Sequence, residues 1–269
     1  MNTTLGFDDA ERPADMVLVE HRGAVAVLTL NFPRRRNALC RQMRLQLQEQ
    51  LEELNGSPSV RAIVIRGAGG HFCAGGDITE MRKRTLAEAR HSFELVHTLF
   101  RLLAGGPKPI VAAVDGVAMG AGLSIASLAD YVVATPQARF GTSFVRMGLM
   151  PDVGGLWGLS QKLGPTKARE LIGLARQFDG KRAMDLGLVN ELAEPQDVHD
   201  RALAVADEYA TLPPLASAFV RAAFAQGCLS VEQTIRLEQD LGTVLSCSED
   251  HAEAAAAFLE KRAPNFTGR

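Results

Sequence analysis

Two glycine-rich turns, each preceded by an apolar run, hold the residues of this chain whose types and spacing could do chemistry. The first, His71-Phe72-Cys73-Ala74-Gly75-Gly76-Asp77-Ile78, follows the strand-like residues 62–66. The second, Gly116-Val117-Ala118-Met119-Gly120-Ala121-Gly122, follows the apolar residues 110–114 and leads into a small-residue segment that reads as a helix. Glycine lets a backbone approach a ligand closely, and the first turn of a helix leaves amides without intrahelical partners. Amides so placed can hold an oxyanion. One such turn is as readily a packing corner; two donors from separate turns would make a two-pronged oxyanion hole. His71 and Cys73 sit beside it, but a cysteine without a placed histidine base is weak ground for a nucleophile. Asp152, in Pro151-Asp152-Val153-Gly154-Gly155, has two readings, a helix N-cap or a general base. Asp77-Ile78-Thr79-Glu80 has the spacing of a variant capping box, which makes Asp77 structural rather than catalytic.

The elements that must position these groups alternate. Residues 16–21 and 25–30 read as two strands joined at Arg22-Gly23-Ala24, a hairpin. A basic, turn-rich segment with Arg34, Arg35 and Arg36 follows; such a run suits an anion or is simply a solvated face. Met43, Leu47, Leu51 and Leu54 recur at helical spacing over residues 40–55, with Gly56 as the stop. Residues 85–103 read as a second amphipathic helix, with His91 and His97 as packing or surface residues, broken by Gly105-Gly106-Pro107. After the second turn comes a strand at 131–134, so strand and helix alternate as in parallel βαβ units. Residues 147–157 read as a loop, before a break at Gly164-Pro165. The remainder reads as helical: 166–175, 181–185, 198–211, 215–225 and 231–245, with Leu237, Leu241 and Leu245 expected as a buried stripe. The expected division is a core over 1–194 and a helical region over 195–269, with Pro213-Pro214 the clearest joint.

Composition narrows the class. The chain has 269 residues, 46% hydrophobic and 22% charged, with a net charge of -2. That is ordinary for a globular protein and gives no reason to expect a nucleic-acid or membrane-surface binder. Cys40, Cys73, Cys228 and Cys247 show no CxxC spacing, so neither a metal site nor a disulfide framework is expected, and a reducing cytoplasm fits best. Residues 1–15 carry Asp8, Asp9 and Glu11 and no apolar core, which does not read as a secretory signal. No run approaches the ~18 apolar residues of a membrane helix.

Taken together and in register, Arg36-Asn37-Ala38-Leu39, the two turns, and Pro151-Asp152-Val153-Gly154-Gly155 resemble the crotonase (enoyl-CoA hydratase/isomerase) superfamily from about Met16 onward. The resemblance implies an α/β fold, a crotonase-like spiral of ββα units with a helical C-terminal region that packs homotrimers or dimers of trimers. It implies an acyl-CoA thioester substrate, with coenzyme A as part of that substrate and no tightly bound cofactor. The oxyanion donors would be the amides of Gly76 and Ala121. Coenzyme A would meet Arg34, Arg36, Ala38, Ala74, Asp77 and Ile78, with Phe258 and Lys261 completing the pocket, often from a neighbouring subunit.

One departure bears on the reaction. The family's hydratases carry two glutamates, at positions that here are Ser124 and Phe144. Neither is a carboxylate, which speaks against two-carboxylate water addition and leaves Asp152, matching the acidic residue of some isomerases of the superfamily. The stretch 148–157 most resembles the 1,2-epoxyphenylacetyl-CoA isomerase-like members. Phe144, Leu149, Met150 and Trp157 would then exclude water. Three alternatives stay open: a hydratase with another base, a thioester hydrolase, whose Pro-Asp-Val-Gly-Gly phrase is paired with a glutamate where Phe144 stands, and a non-catalytic acyl-CoA-binding protein.

Overall fold

The computed structural model describes residues 12–269; the N-terminal segment read for a secretory signal lies largely outside them. The main sheet is built from β1 (Val17–Arg22), β2 (Val25–Leu30), β3 (Ala62–Gly67), β4 (Ile110–Val114), β6 (Tyr131–Ala134) and β9 (Glu191–Leu192), in the order β1-β2-β3-β4-β6-β9. A hairpin joins β1 and β2 antiparallel, and every later pairing is parallel. A second, smaller sheet contains β5 (Val117–Met119), β7 (Arg139–Gly141) and β8 (Gln177–Asp179). Two isolated parallel bridges, Leu39 to Gly76 and Cys73 to Ala118, carry that second layer further.

The chain therefore winds as a spiral. Each of four successive turns runs from a main-sheet strand to the second layer and then into a helix. These are β2, Leu39 and α1 (Arg41–Gly56); β3, Cys73 and α2 (Leu86–Gly105); β4, β5 and α3 (Ala121–Leu128); β6, β7 and α4 (Gly155–Gly173). Alternation along the strands divides the core. Leu28, Ile63, Ile65, Ala112, Val114 and Val132 face the helices of the spiral, while Val25, Val27, Val64, Val111, Ala113 and Val133 point the other way. That second face is covered by α6 (Val198–Ala210) through Val198, Ala202, Val205 and Ala206. The expected helical region thus begins with an element packed on the sheet. Beyond α5 (Gly180–Asp185) and α6 come α7 (Pro214–Phe224), α8 (Val231–Ser246) and α9 (Glu249–Glu260). Buried Arg221 fastens α7 to the end of α2, donating to the carbonyls of Leu103 and Gly106 and pairing with Asp130.

Several sequence expectations are corrected. Trp157 is helical, because α4 begins at Gly155; the Gly164-Pro165 break is a kink inside that helix, with Gly164 at φ 74° and ψ 156°. The Leu237, Leu241 and Leu245 stripe is only half-buried, and α8 has no buried residue among those described. The capping box at Asp77 is half a box: Asp77 accepts from the Thr79 amide at 3.0 Å and opens a short 3-10 turn, but Glu80 turns to Arg12 and Arg44. Complete capping boxes stand instead at Thr85/Glu88 and Ser230/Gln233.

Candidate active site

Backbone hydrogen bonds lock the two glycine turns side by side. Phe72 N donates to Asp115 O (2.8 Å), Cys73 N to Val117 O (2.8 Å) and Met119 N to Cys73 O (2.9 Å). The contact is so close that glycine is obligatory at two points. A Cβ on Gly122 would lie 2.4 Å from Cys73 O, and one on Gly75, which has φ 97°, would lie 2.8 Å from Met119 O. That same Gly75 Cβ would be 3.6 Å from the Ala121 amide nitrogen, so the first turn abuts the start of α3, although Ala121 is not among the residues lining the cavity described next. Gly76 itself has room for a side chain, the nearest atom being Met81 Cε at 3.5 Å; what it can offer is its amide. Neither amide donates a hydrogen bond to another described residue.

Gly76 and Asp152 line one cavity of about 490 Å³, with Met81, Phe93, Val96, Met147 and Leu149 as its apolar wall and Arg44 beside them. Met150 and Trp157 are not in that wall: Met150 is exposed and Trp157 packs against Phe100 at 6.0 Å. Asp152 is not an N-cap. The cap position of α4 is Gly154, with no side-chain hydrogen bond. Val153 and Gly154 both have left-handed backbones, φ 49° and 73°, and Val153 is a β-branched residue held there by burial. This strained turn leaves Asp152 Oδ1 buried without a hydrogen-bond partner among the described residues. Burial pushes the Asp152 carboxyl up from its ordinary range, with nearby Arg44 and the residue's own amide opposing in part.

The two positions that differ from the hydratase pattern are filled differently. Ser124 is buried, bonds back to Gly120 O at 3.3 Å, and fits under Gly155, whose Cβ would fall 2.2 Å from Ser124 Oγ. Phe144 lays its ring edge against Gly120, 3.7 Å from where a Cβ would stand. Cys73 is an unsuitable nucleophile: burial pushes its thiol up to about 12.

The remaining expected residues fall around the site. Arg34, Arg36 and Ile78 are exposed, Ala38 is buried, and Ala74 donates to Arg36 O at 2.9 Å. Asp77 is 4% exposed, with Arg35 and Arg12 at 3.8 and 3.7 Å. Phe258 and Lys261, on and just after α9, are exposed and do not line the cavity within this chain. Sequence reasoning gave no role to Asn37, whose fully buried amide ties the basic loop to the first glycine turn, donating to Ala68 O and His71 O at 2.9 and 2.6 Å. It also missed Arg44, Arg82 and Arg84 in the cavity lining; they lie on helical or linking segments whose charges look like solvated faces. No group of metal-ligating side chains occurs among the described residues, and none of their helices is long and apolar enough to cross a membrane.

The ββα spiral, with the Gly76 amide and the buried Asp152 carboxyl in one cavity and the Ala121 amide at the start of α3, defines the class to which the chain belongs. The chain belongs to the enoyl-CoA hydratase/isomerase family, whose sequence profile matches residues 20–269. It is 33% identical over 260 residues to the 1,2-epoxyphenylacetyl-CoA isomerase of Escherichia coli K12, covering 95% of this chain and 99% of that protein. It is also 31% identical to the crotonyl-CoA hydratase of Syntrophomonas wolfei, covering 94% and 98%. Among solved structures, an enoyl-CoA hydratase subunit of Geobacillus kaustophilus superposes with a TM-score of 0.87 at 32% identity, over 94% of this chain and 98% of that one.

Proposed function

We propose that the protein isomerises an enoyl-CoA or related acyl-CoA thioester through an enolate. The observation that carries this reading is the state of Asp152. Of the three carboxylates lining the cavity, Asp77 and Glu80 stand in guanidinium pairs, while Asp152 has none among the described residues, and burial raises its pKa. Asp152 takes a proton from a carbon near the thioester, and the amides of Gly76 and Ala121 hold the oxygen as negative charge develops there. The protonated Asp152 then returns the proton to a different carbon, so the double bond moves and no water is added. Each donor of such a pair is worth about 3 kcal/mol and the acid–base group ~10²–10⁴-fold in rate.

Ser124 and Phe144 support isomerisation over hydration, since neither can activate water as a carboxylate does. The apolar wall of Met81, Phe93, Val96 and Leu149 supports it further by limiting water beside Asp152. The substrate brings its own coenzyme A, and basic Arg34 and Arg36 with Ala38, Ala74, Asp77 and Ile78 are assigned to that moiety. Phe258 and Lys261 are assigned to the same pocket from a neighbouring subunit of a homotrimer or dimer of trimers. The test is product analysis on a panel of enoyl-CoA substrates with wild type and Asp152→Asn. Migration of the double bond by wild type, lost in the variant, is expected. Predominant formation of hydroxyacyl-CoA would turn the reading to a hydratase, and full isomerase activity in Asp152→Asn would remove Asp152 from the mechanism.

A further inference from the structure

The cavity that holds Gly76 and Asp152 does not end at its apolar wall. A second cavity of about 600 Å³ adjoins it, and Arg44, Glu80, Arg82, Arg84 and Ser92 line both. The charges where they meet do not balance. Glu80 answers Arg12 and Arg44 at 3.1 and 3.3 Å, and Glu88 answers Arg82 at 2.8 Å. Arg41, Lys83 and Arg84 have no carboxylate partner among the described residues. Arg84 is satisfied only by neutral acceptors, Ser92 Oγ and Glu80 O, each at 3.3 Å. Ser92 accepts from Arg84, so its own O–H is left to donate. Arg84, held by neutral acceptors, and the Ser92 hydroxyl thus stand where three guanidiniums, Arg44, Arg82 and Arg84, line both cavities with one carboxylate, Glu80.

We propose that this junction is a specificity subsite for the acyl chain, and that the protein takes acyl-CoA substrates bearing a carboxylate at the distal end. The inference rests on the reading above, in which the thioester carbonyl lies at Gly76. From that point the wall of Met81, Phe93, Val96 and Leu149 suits methylene groups, and Arg84 and Ser92 line both this cavity and the one adjoining it. An uncharged chain of equal length would leave these donors to water. The same chemistry could instead serve the phosphates of coenzyme A, which every substrate carries, so the two sources predict different patterns.

The experiment compares a matched pair, a six-carbon 2-enoyl-CoA and its ω-carboxy counterpart, with wild type, Arg84→Met and Ser92→Ala. It reads kcat/KM on each, together with Kd for the corresponding saturated acyl-CoA compounds, which bind without turnover. Wild type is expected to prefer the ω-carboxy member by about 10- to 100-fold, the scale of a charge-assisted hydrogen-bonded pair. Arg84→Met collapses that preference at least ten-fold in both kcat/KM and Kd, and Ser92→Ala lowers it by a smaller factor. A wild-type preference for the uncharged chain overturns the proposal, as does an equal loss on both members in Arg84→Met, the pattern of a phosphate contact. If wild type turns over neither member, the isomerase reading fails while the Kd ratio still decides the subsite.

Discussion

Asp77 and Asp152 line the same cavity, both carry a buried carboxylate oxygen without a hydrogen bond, and the fold treats them in opposite ways. Asp77 is surrounded: its Oδ1 accepts from Thr79 N and Thr79 Oγ1 at 3.0 and 2.8 Å, with Arg12 and Arg35 close by. Asp152 has no ion pair among the described residues, precedes the left-handed turn at Val153-Gly154, and burial disfavours its charge, with Arg44 and its own amide opposing in part. On the proposed mechanism, the difference teaches how one cavity can hold a structural acid and a reactive one. The first closes a turn through Thr79 and lies beside two guanidiniums; the second is pushed up by burial, against a partial pull from Arg44 and its own amide.

The comparison breaks most sharply at Asp152 itself. Asp152→Asn is expected to lower kcat by about 10²–10⁴-fold, with thermal stability equal to or above wild type, since a desolvated charge has been removed; steady-state assays and a melting curve read the two together. Loss of stability together with retained activity would make Asp152 the structural member of the pair. Next comes the turn that holds it. Gly154→Ala places a Cβ 2.2 Å from the Phe100 ring at a backbone with φ 73°, and is expected to cost about 2–4 kcal/mol in chemical denaturation.

Asp77→Ala should behave in the reverse sense to Asp152→Asn. It is expected to lose about 1–2 kcal/mol of stability through loss of its turn cap, while the folded protein keeps a turnover rate close to wild type. The gentlest probe is pH. A base must be ionised, so kcat/KM falls as pH drops through the raised Asp152 pKa, and this limb lies at higher pH than an ordinary carboxylate would give. The stability sign is opposite to that of a salt-bridged acid. The folded state holds the Asp152 proton more tightly than the unfolded one, so native stability declines as pH rises from the unfolded value through the raised one, and Asp152→Asn removes that decline.

Much of the fold is legible in the chain because it is written locally. The β-rich runs at 25–30 and 62–66 and the 3.6-residue recurrence of Met43, Leu47, Leu51 and Leu54 each reflect one element meeting one core, and the structure buries residues 25–30, 62–65 and the four helix positions. The glycines at 75 and 122 were visible as residues, but the reason for them was not. Each avoids an atom of a segment more than forty residues away in sequence, Met119 O for one and Cys73 O for the other. The stripe on α8 was misjudged because hydropathy reports that a face is apolar, not whether the same chain covers it.

By itself the sequence determined the alternation of strands and helices and the two glycine turns, for which short-range spacing suffices; the ββα repetition and the meaning of Ser124 and Phe144 came through the family resemblance. Only the tertiary structure decided what Asp152 is. Whether that carboxylate caps a helix or faces a cavity depends on the left-handed backbone at 153–154, and Gly154 takes that form against Phe100, a residue of another helix. Charge is equally nonlocal: Arg44 and Arg84 belong to different segments, and only folding brings both to the cavity beside Asp152. Dihedral choice at a strained turn and the electrostatics of a shared cavity are set by neighbours distant in the chain, which no short window of residues contains.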